Sequence, residues 1–130
     1  DLLGRKADDT ADDCPTTGPV GDPLVDPIIE YPHQGDGVSG ISVIGGYLYD
    51  GEAIPQLQGR YVFDDYITDG ELFVGQEGES GWSVTTVPVE SIGQNVRSFG
   101  LTPSGELLVC SADAAGMDGD SGAVHRLDSD

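Results

Sequence analysis

The sequence predicts an all-β chain built from antiparallel meanders. Three observations predict it. Gly occurs 20 times and Pro 8 times in 130 residues, which is a turn-rich composition. The apolar runs are short, rich in Val, Ile, Leu, Tyr and Phe, and bounded by Gly, Pro or Asp, as consecutive strands are. Those runs are too brief and too broken by Gly for helices. The organising stretch is Ser39–Val74, whose runs Ile41–Tyr49, Arg60–Phe63 and Glu71–Val74 read as three successive strands.

Taken in order, residues 1–26 read as an irregular acidic loop with little periodicity. The pairs Asp8-Asp9 and Asp12-Asp13 read first as solvated loop acids and second as a cation site. Residues 27–90 read as one full meander. Pro27–Tyr31 is a short strand candidate that ends at Pro32, and His33 follows in a Gly-rich turn, read first as an exposed loop residue and second as a catalytic or cofactor residue. Gly45-Gly46 inside the first long strand signals a bulge or a close backbone approach. Asp69-Gly70 marks a tight turn. Gly81–Val89 supplies a fourth strand, which Pro88 assigns to an edge.

Residues 91–130 repeat the plan with one strand fewer. Val96–Leu101 and Glu106–Cys110 are strands joined by the turn Thr102-Pro-Ser-Gly105, and Ala123–Leu127 is the last. Four-stranded units repeating at about 40–50 residues are the plan of a β-propeller, whose sheets need neighbours to cover their faces. On this reading the second unit lacks its outer strand and takes it from elsewhere in a longer chain. A free-standing β-sandwich satisfies the same strand count, and periodicity does not separate the two.

Charge narrows the function classes. Twenty-four acids face five bases, for a net charge of −19, and Lys6 is the only lysine. Nucleic-acid binding needs the opposite sign. Disorder is one reading of so acidic a chain. The strand runs favour a folded protein adapted to high salt, where screening relieves self-repulsion. No run reaches the roughly 18 apolar residues of a membrane span. No basic start with an apolar core follows the pattern of a leader, so a leader would lie upstream. Cys14 and Cys110 stand far apart, and spacing leaves their pairing open. Their isolation from other Cys and His argues against a metal cluster. The loop Asp113–Asp120 holds three Asp but lacks EF-hand spacing, and reads as solvated before it reads as a cation site.

Several stretches resemble one family. PIIEYPH, GISVIGGYLYDGEAIPQLQGRYVFDDY, VRSFGLTPSGELLV and SGAVHRL are similar to the C-terminal part of the glucose/sorbosone dehydrogenase family, over about residues 27–127. The resemblance implies a six-bladed propeller, of which this chain would be the last two blades. It implies a haloarchaeal-type, exported member, and a parent enzyme that oxidises an aldose at C1. There pyrroloquinoline quinone (PQQ) accepts the hydride, a His acts as base and calcium polarises the quinone. The base and most calcium ligands belong to earlier blades, so the resemblance implies no catalytic residue here, and His33 is not that base. Arg97 matches a family Arg that reaches the cofactor. The chain departs elsewhere: Asn95 stands in place of a second Arg, Tyr66–Asp69 carries no Lys, and Val38–Gly40 replaces aromatic and hydroxyl contacts. PQQ has three carboxylates, and Arg meets a carboxylate bidentately, so fewer cations weaken its pocket. Arg97 has a second reading, as a surface partner of a neighbouring acid. The expected partners are the sugar and the missing N-terminal blades. The alternative to the enzyme is a propeller that kept the fold as a non-catalytic binding or scaffold module.

Overall fold

The computed structural model describes residues 15–66, 70–90, 92, 95–113 and 120–129. Cys14, the paired aspartates of the first segment, Asp69, and most of the Asp113–Asp120 loop lie outside these residues. The described chain is all-β. Its strands are β1 (Val43–Leu48), β2 (Tyr61–Asp65), β3 (Glu71–Gly78), β4 (Gly81–Pro88), β5 (Asn95–Leu101), β6 (Leu107–Ala112) and β7 (Ala123–Arg126). They form a four-stranded sheet in the order β1-β2-β3-β4 and a three-stranded sheet in the order β5-β6-β7. Every pairing is antiparallel. The expected order of four strands and then three is therefore met, with β4 at a sheet edge as Pro88 required.

Side-chain alternation gives the first sheet two different faces. Val62 lies opposite Val74, and Leu72 opposite Val87. These point toward the second sheet, where Val62, Leu72 and Val74 share one core with Ile92, Val96, Leu107, Val109 and Leu127. The sheets approach most closely where β1 passes β5. On the reverse face Phe63 lies opposite Phe73, and both are buried. Their cover comes from the segment that precedes β1. The Tyr31 ring meets Phe73 edge-on at 5.5 Å and lies 6.4 Å from Phe63. Ile29 reaches across to Gly75, where a side chain would collide with its Cδ1.

This corrects the reading of Pro27–Tyr31 as a strand, because none of it belongs to a strand. Pro27 and Pro32 remove backbone donors at both ends, so the segment gains little from a ladder. It gains by burying Ile29 and Tyr31 on an aromatic face instead. Glu106 is also displaced from its expected place: β6 starts at Leu107, and Glu106 belongs to the preceding turn. That turn is otherwise as expected. Gly105 has φ +83°, donates to the Thr102 carbonyl at 3.0 Å, and so closes the reversal.

Gly45-Gly46 marks a real irregularity. The β1–β2 register shifts between Ile44 and Tyr47, and Gly46 lies against the backbone of Val62. A Cβ on Gly46 would fall on the Val62 carbonyl oxygen, whereas one on Gly45 meets only the Tyr61 hydroxyl at 3.8 Å. The two neighbours therefore make a matched pair. In urea denaturation Gly46→Ala should lose about 3 kcal/mol or fail to fold. Gly45→Ala should stay within about 1 kcal/mol of the native chain. Equal losses at the two positions would refute the close approach.

Candidate functional site

Two hydrogen-bonded carboxylate systems, one buried and one half-buried, and one arginine corner are the chemically distinct places in the described structure. The first carboxylate is Asp65, at the end of β2 and 1% exposed. It accepts from the Tyr31 hydroxyl at 3.0 Å, from the Ile41 N–H at 3.0 Å and from the Ser42 N–H at 2.8 Å. Gly40 packs so tightly on it that any side chain there would strike the carboxylate. Burial, and then the hydrogen bond to Asp65, push the Tyr31 phenol well above its ordinary range. Asp65 thus holds the covering segment and the entry to β1 in place. Adjacent Asp64 points to the core face and accepts from the Asp65 N–H at 2.8 Å.

The second carboxylate is Glu106, which couples the two sheets. Its Oε1 accepts from the N–H groups of Glu52 and Ala53 at 2.9 and 3.1 Å. Its Oε2 accepts from the Tyr49 hydroxyl at 2.5 Å. That hydroxyl accepts in turn from the Ile54 N–H at 3.0 Å. Gly51 leaves room for this approach, since its Cβ would crowd Glu106 Oε2 at 2.5 Å. The hydrogen bond from Tyr49, with the two N–H bonds, holds the Glu106 carboxyl below its ordinary value. Burial, together with the bond to Glu106, raises the Tyr49 phenol.

Arg97 lies in β5 where the register against β6 shifts, between Val96 and Ser98. It is half-buried. Its Nη1 donates to the Tyr66 hydroxyl at 3.0 Å, and its guanidinium carbon lies 5.0 Å from the centre of that ring. The structure therefore places the one expected cofactor residue at the corner where the end of β2 meets β5. Asn95, which stands where the family resemblance puts a second Arg, is buried and donates to the Ala112 carbonyl at 3.1 Å. It serves the sheet and presents no cation. His33 is exposed and lines an open hollow with Ile29, Tyr31 and Phe63.

The sequence reading missed the Tyr49–Glu106 link and the Tyr31–Asp65 link. A signal for the first was present in Gly51, a glycine just after a Tyr-Asp pair with no turn to require it. A Ser–His pair was also missed: His125 Nε2 lies 3.1 Å from Ser111 Oγ. Ser111 is 3% exposed in the core, so the pair joins neighbouring strands and offers no accessible nucleophile. Among the described residues no group of His, Cys, Asp and Glu is arranged to hold a metal ion. Among them, no helix is long and apolar enough to cross a membrane. Cys110 carries a free, half-buried thiol. No protein-family model matches the chain, and no solved structure matches it.

The Glu106 link makes stability depend on pH with a definite sign. A carboxyl whose folded pKa is lowered stabilises the fold above its ordinary value of 4.5, and that contribution is lost as pH falls through the folded value. The stability gap between the native chain and Glu106→Gln should be constant from pH 7 to about 5 and should narrow below that. Denaturant titrations at each pH measure it, and a gap independent of pH would overturn the assignment. Tyr49→Phe leaves the Ile54 N–H without its acceptor, and should cost about 1–3 kcal/mol at pH 7 by the same titration.

Proposed function

We propose that the chain forms two neighbouring blades of a larger β-propeller of the glucose/sorbosone dehydrogenase type. In this reading it contributes architecture and one cofactor-facing cation to a parent that oxidises an aldose at C1, and is inactive alone. The supporting observation is the sheet plan. Two simple meanders follow one another, and their first strands, β1 and β5, lie side by side while the later strands lead outward. The acidic surplus fits an exported protein working in high salt.

The residues in hand do not by themselves fit PQQ. A tricarboxylate needs several cations, and at this corner the described residues offer Arg97, while Asn95 is turned into its own sheet. Buried Asp64 and Asp65 stand at the end of the same strand β2. No catalytic step is therefore assigned to this chain. The engagement of Arg97 by Tyr66 favours a second reading, in which the propeller is a non-catalytic binding or scaffold module.

Absorbance titration with PQQ, with and without calcium in molar salt, separates the readings. The isolated chain should give no saturable spectral change. The complete polypeptide carrying the earlier blades should give one, and Arg97→Met in it should weaken binding by about tenfold or more, the worth of one charge-assisted contact. Saturable binding by the isolated chain would overturn the division of labour. An unmoved spectrum with the complete polypeptide would sink the enzyme and leave the scaffold.

A further inference from the structure

Arg97 comes from the second sheet, but the ring that receives it comes from the first. Tyr66 follows directly on β2, which ends at Asp65, and is half-buried. Its hydroxyl accepts from Arg97 Nη1 at 3.0 Å, and the guanidinium carbon stands 5.0 Å from its ring centre. A guanidinium tied both to the hydroxyl and to the ring face takes its direction from that ring. The orientation of Arg97 therefore depends on whatever fixes Tyr66.

A run of hydrogen bonds leads from Tyr66 back to the segment that covers the aromatic face. The Tyr66 N–H donates to the Ser42 carbonyl at 2.8 Å. Ser42 stands just ahead of β1, which starts at Val43. Its own N–H donates to Asp65 Oδ2 at 2.8 Å, while the Ile41 N–H donates to Oδ1 at 3.0 Å. The same Oδ2 accepts the Tyr31 hydroxyl at 3.0 Å. One residue, Ser42, is thus fixed by Asp65 through its N–H and fixes Tyr66 through its carbonyl. The Asp65 carboxylate is 1% exposed, and Gly40 lies so close that it has no room to slide. Donors that share so confined an acceptor are coupled, and a change at Tyr31 is felt at Ser42.

We propose that Tyr31 and Asp65 are positioning residues for Arg97. By placing its phenol on Asp65, the covering segment fixes Ser42, through it Tyr66, and through that ring the direction of the guanidinium. Neither Tyr31 nor Asp65 is assigned any contact with a ligand. Residues 27–33 lie outside both ladders, so they attach and detach while the sheets stand. A two-state element of this kind is what carries coupling between groups that do not touch. With the segment attached, Arg97 is held in one direction, ready for an anion such as a carboxylate. With it detached, that preorganisation is lost and the anion must restore it on binding. The use of Arg97 as an anion contact rests on the functional reading above, whereas its dependence on Tyr31 does not.

The test uses the full chain in molar KCl, with no PQQ. It reads the NMR signal of the Arg97 Nε–H, assigned by its loss in Arg97→Lys, and backbone amide exchange residue by residue. Tyr66→Phe cuts the contact directly and marks where the Arg97 signal goes on release. Tyr31→Phe keeps the ring on Phe63 and Phe73 and removes only the hydroxyl. It should move the Arg97 signal toward the Tyr66→Phe position and speed exchange at Ser42 and Tyr66 by about tenfold, the worth of one hydrogen bond. Val62 and Val109 should keep their native rates. Ile29→Ala weakens the packing of the cover at Gly75 and spares the Tyr31 hydroxyl, so it should move the Arg97 signal less. Tyr31→Phe combined with Tyr66→Phe should move it no further than Tyr66→Phe alone, because Tyr31 acts through Tyr66. An Arg97 signal unmoved by Tyr31→Phe would overturn the positioning role. So would an equal shift in Ile29→Ala, a further shift in the double variant, or faster exchange spread to Val62 and Val109. None of these readouts involves PQQ, so this inference and the functional reading fail separately.

Discussion

The relation between the two sheets depends on one carboxylate. Glu106 comes from the turn ahead of β6 and receives three donors from the chain that leaves β1. Two of those donors are backbone N–H groups in a loop that has no ladder of its own. Glu52 is exposed and Ala53 half-buried, so Glu106 serves these amides by fixing where the loop lies as much as by satisfying them. The same carboxylate fixes the Tyr49 ring, which is 1% exposed and belongs to the shared core. A turn in one sheet thus sets how the other sheet's first connection folds. The apolar core behind it, from Val62 and Leu72 to Leu107 and Val109, supplies the driving force, while Glu106 helps to select one arrangement.

A related economy runs through the chain. Only five bases face twenty-four acids. Asp65 and Glu106 each accept from backbone amides and a tyrosine hydroxyl. The ion pair of Arg126 with Asp128 is exposed and adds little. Hydrogen bonds to these acceptors are less sensitive to added salt than an exposed ion pair.

The strands were legible because their signals are local. Gly and Pro bracket each run, and Thr102-Pro-Ser-Gly105 carries its turn in its own residues. Gly46 announced the bulge, because a missing side chain in a strand needs a reason. What stayed hidden was long-range. Nothing near Glu106 in sequence says that its acceptors will serve residues more than fifty positions earlier. PIIEY has a strand's composition, and only the aromatic face of β2 and β3 decides that its side chains matter more than its backbone. Arg97 was singled out by resemblance, and its stacking on Tyr66 could not be read from spacing, since it depends on how the two sheets meet.

The cover over the aromatic face has a consequence of its own. Residues 27–33 are held there by rings and by the Tyr31 hydroxyl, outside both ladders. Such a flap peels without unzipping any strand, so its detachment is a separate and cheaper event than melting the sheets. Once lifted, it turns a dry wall of Phe63 and Phe73 into a sticky one. Lifting this proline-flanked segment would therefore bare an apolar face before any strand of either sheet is lost.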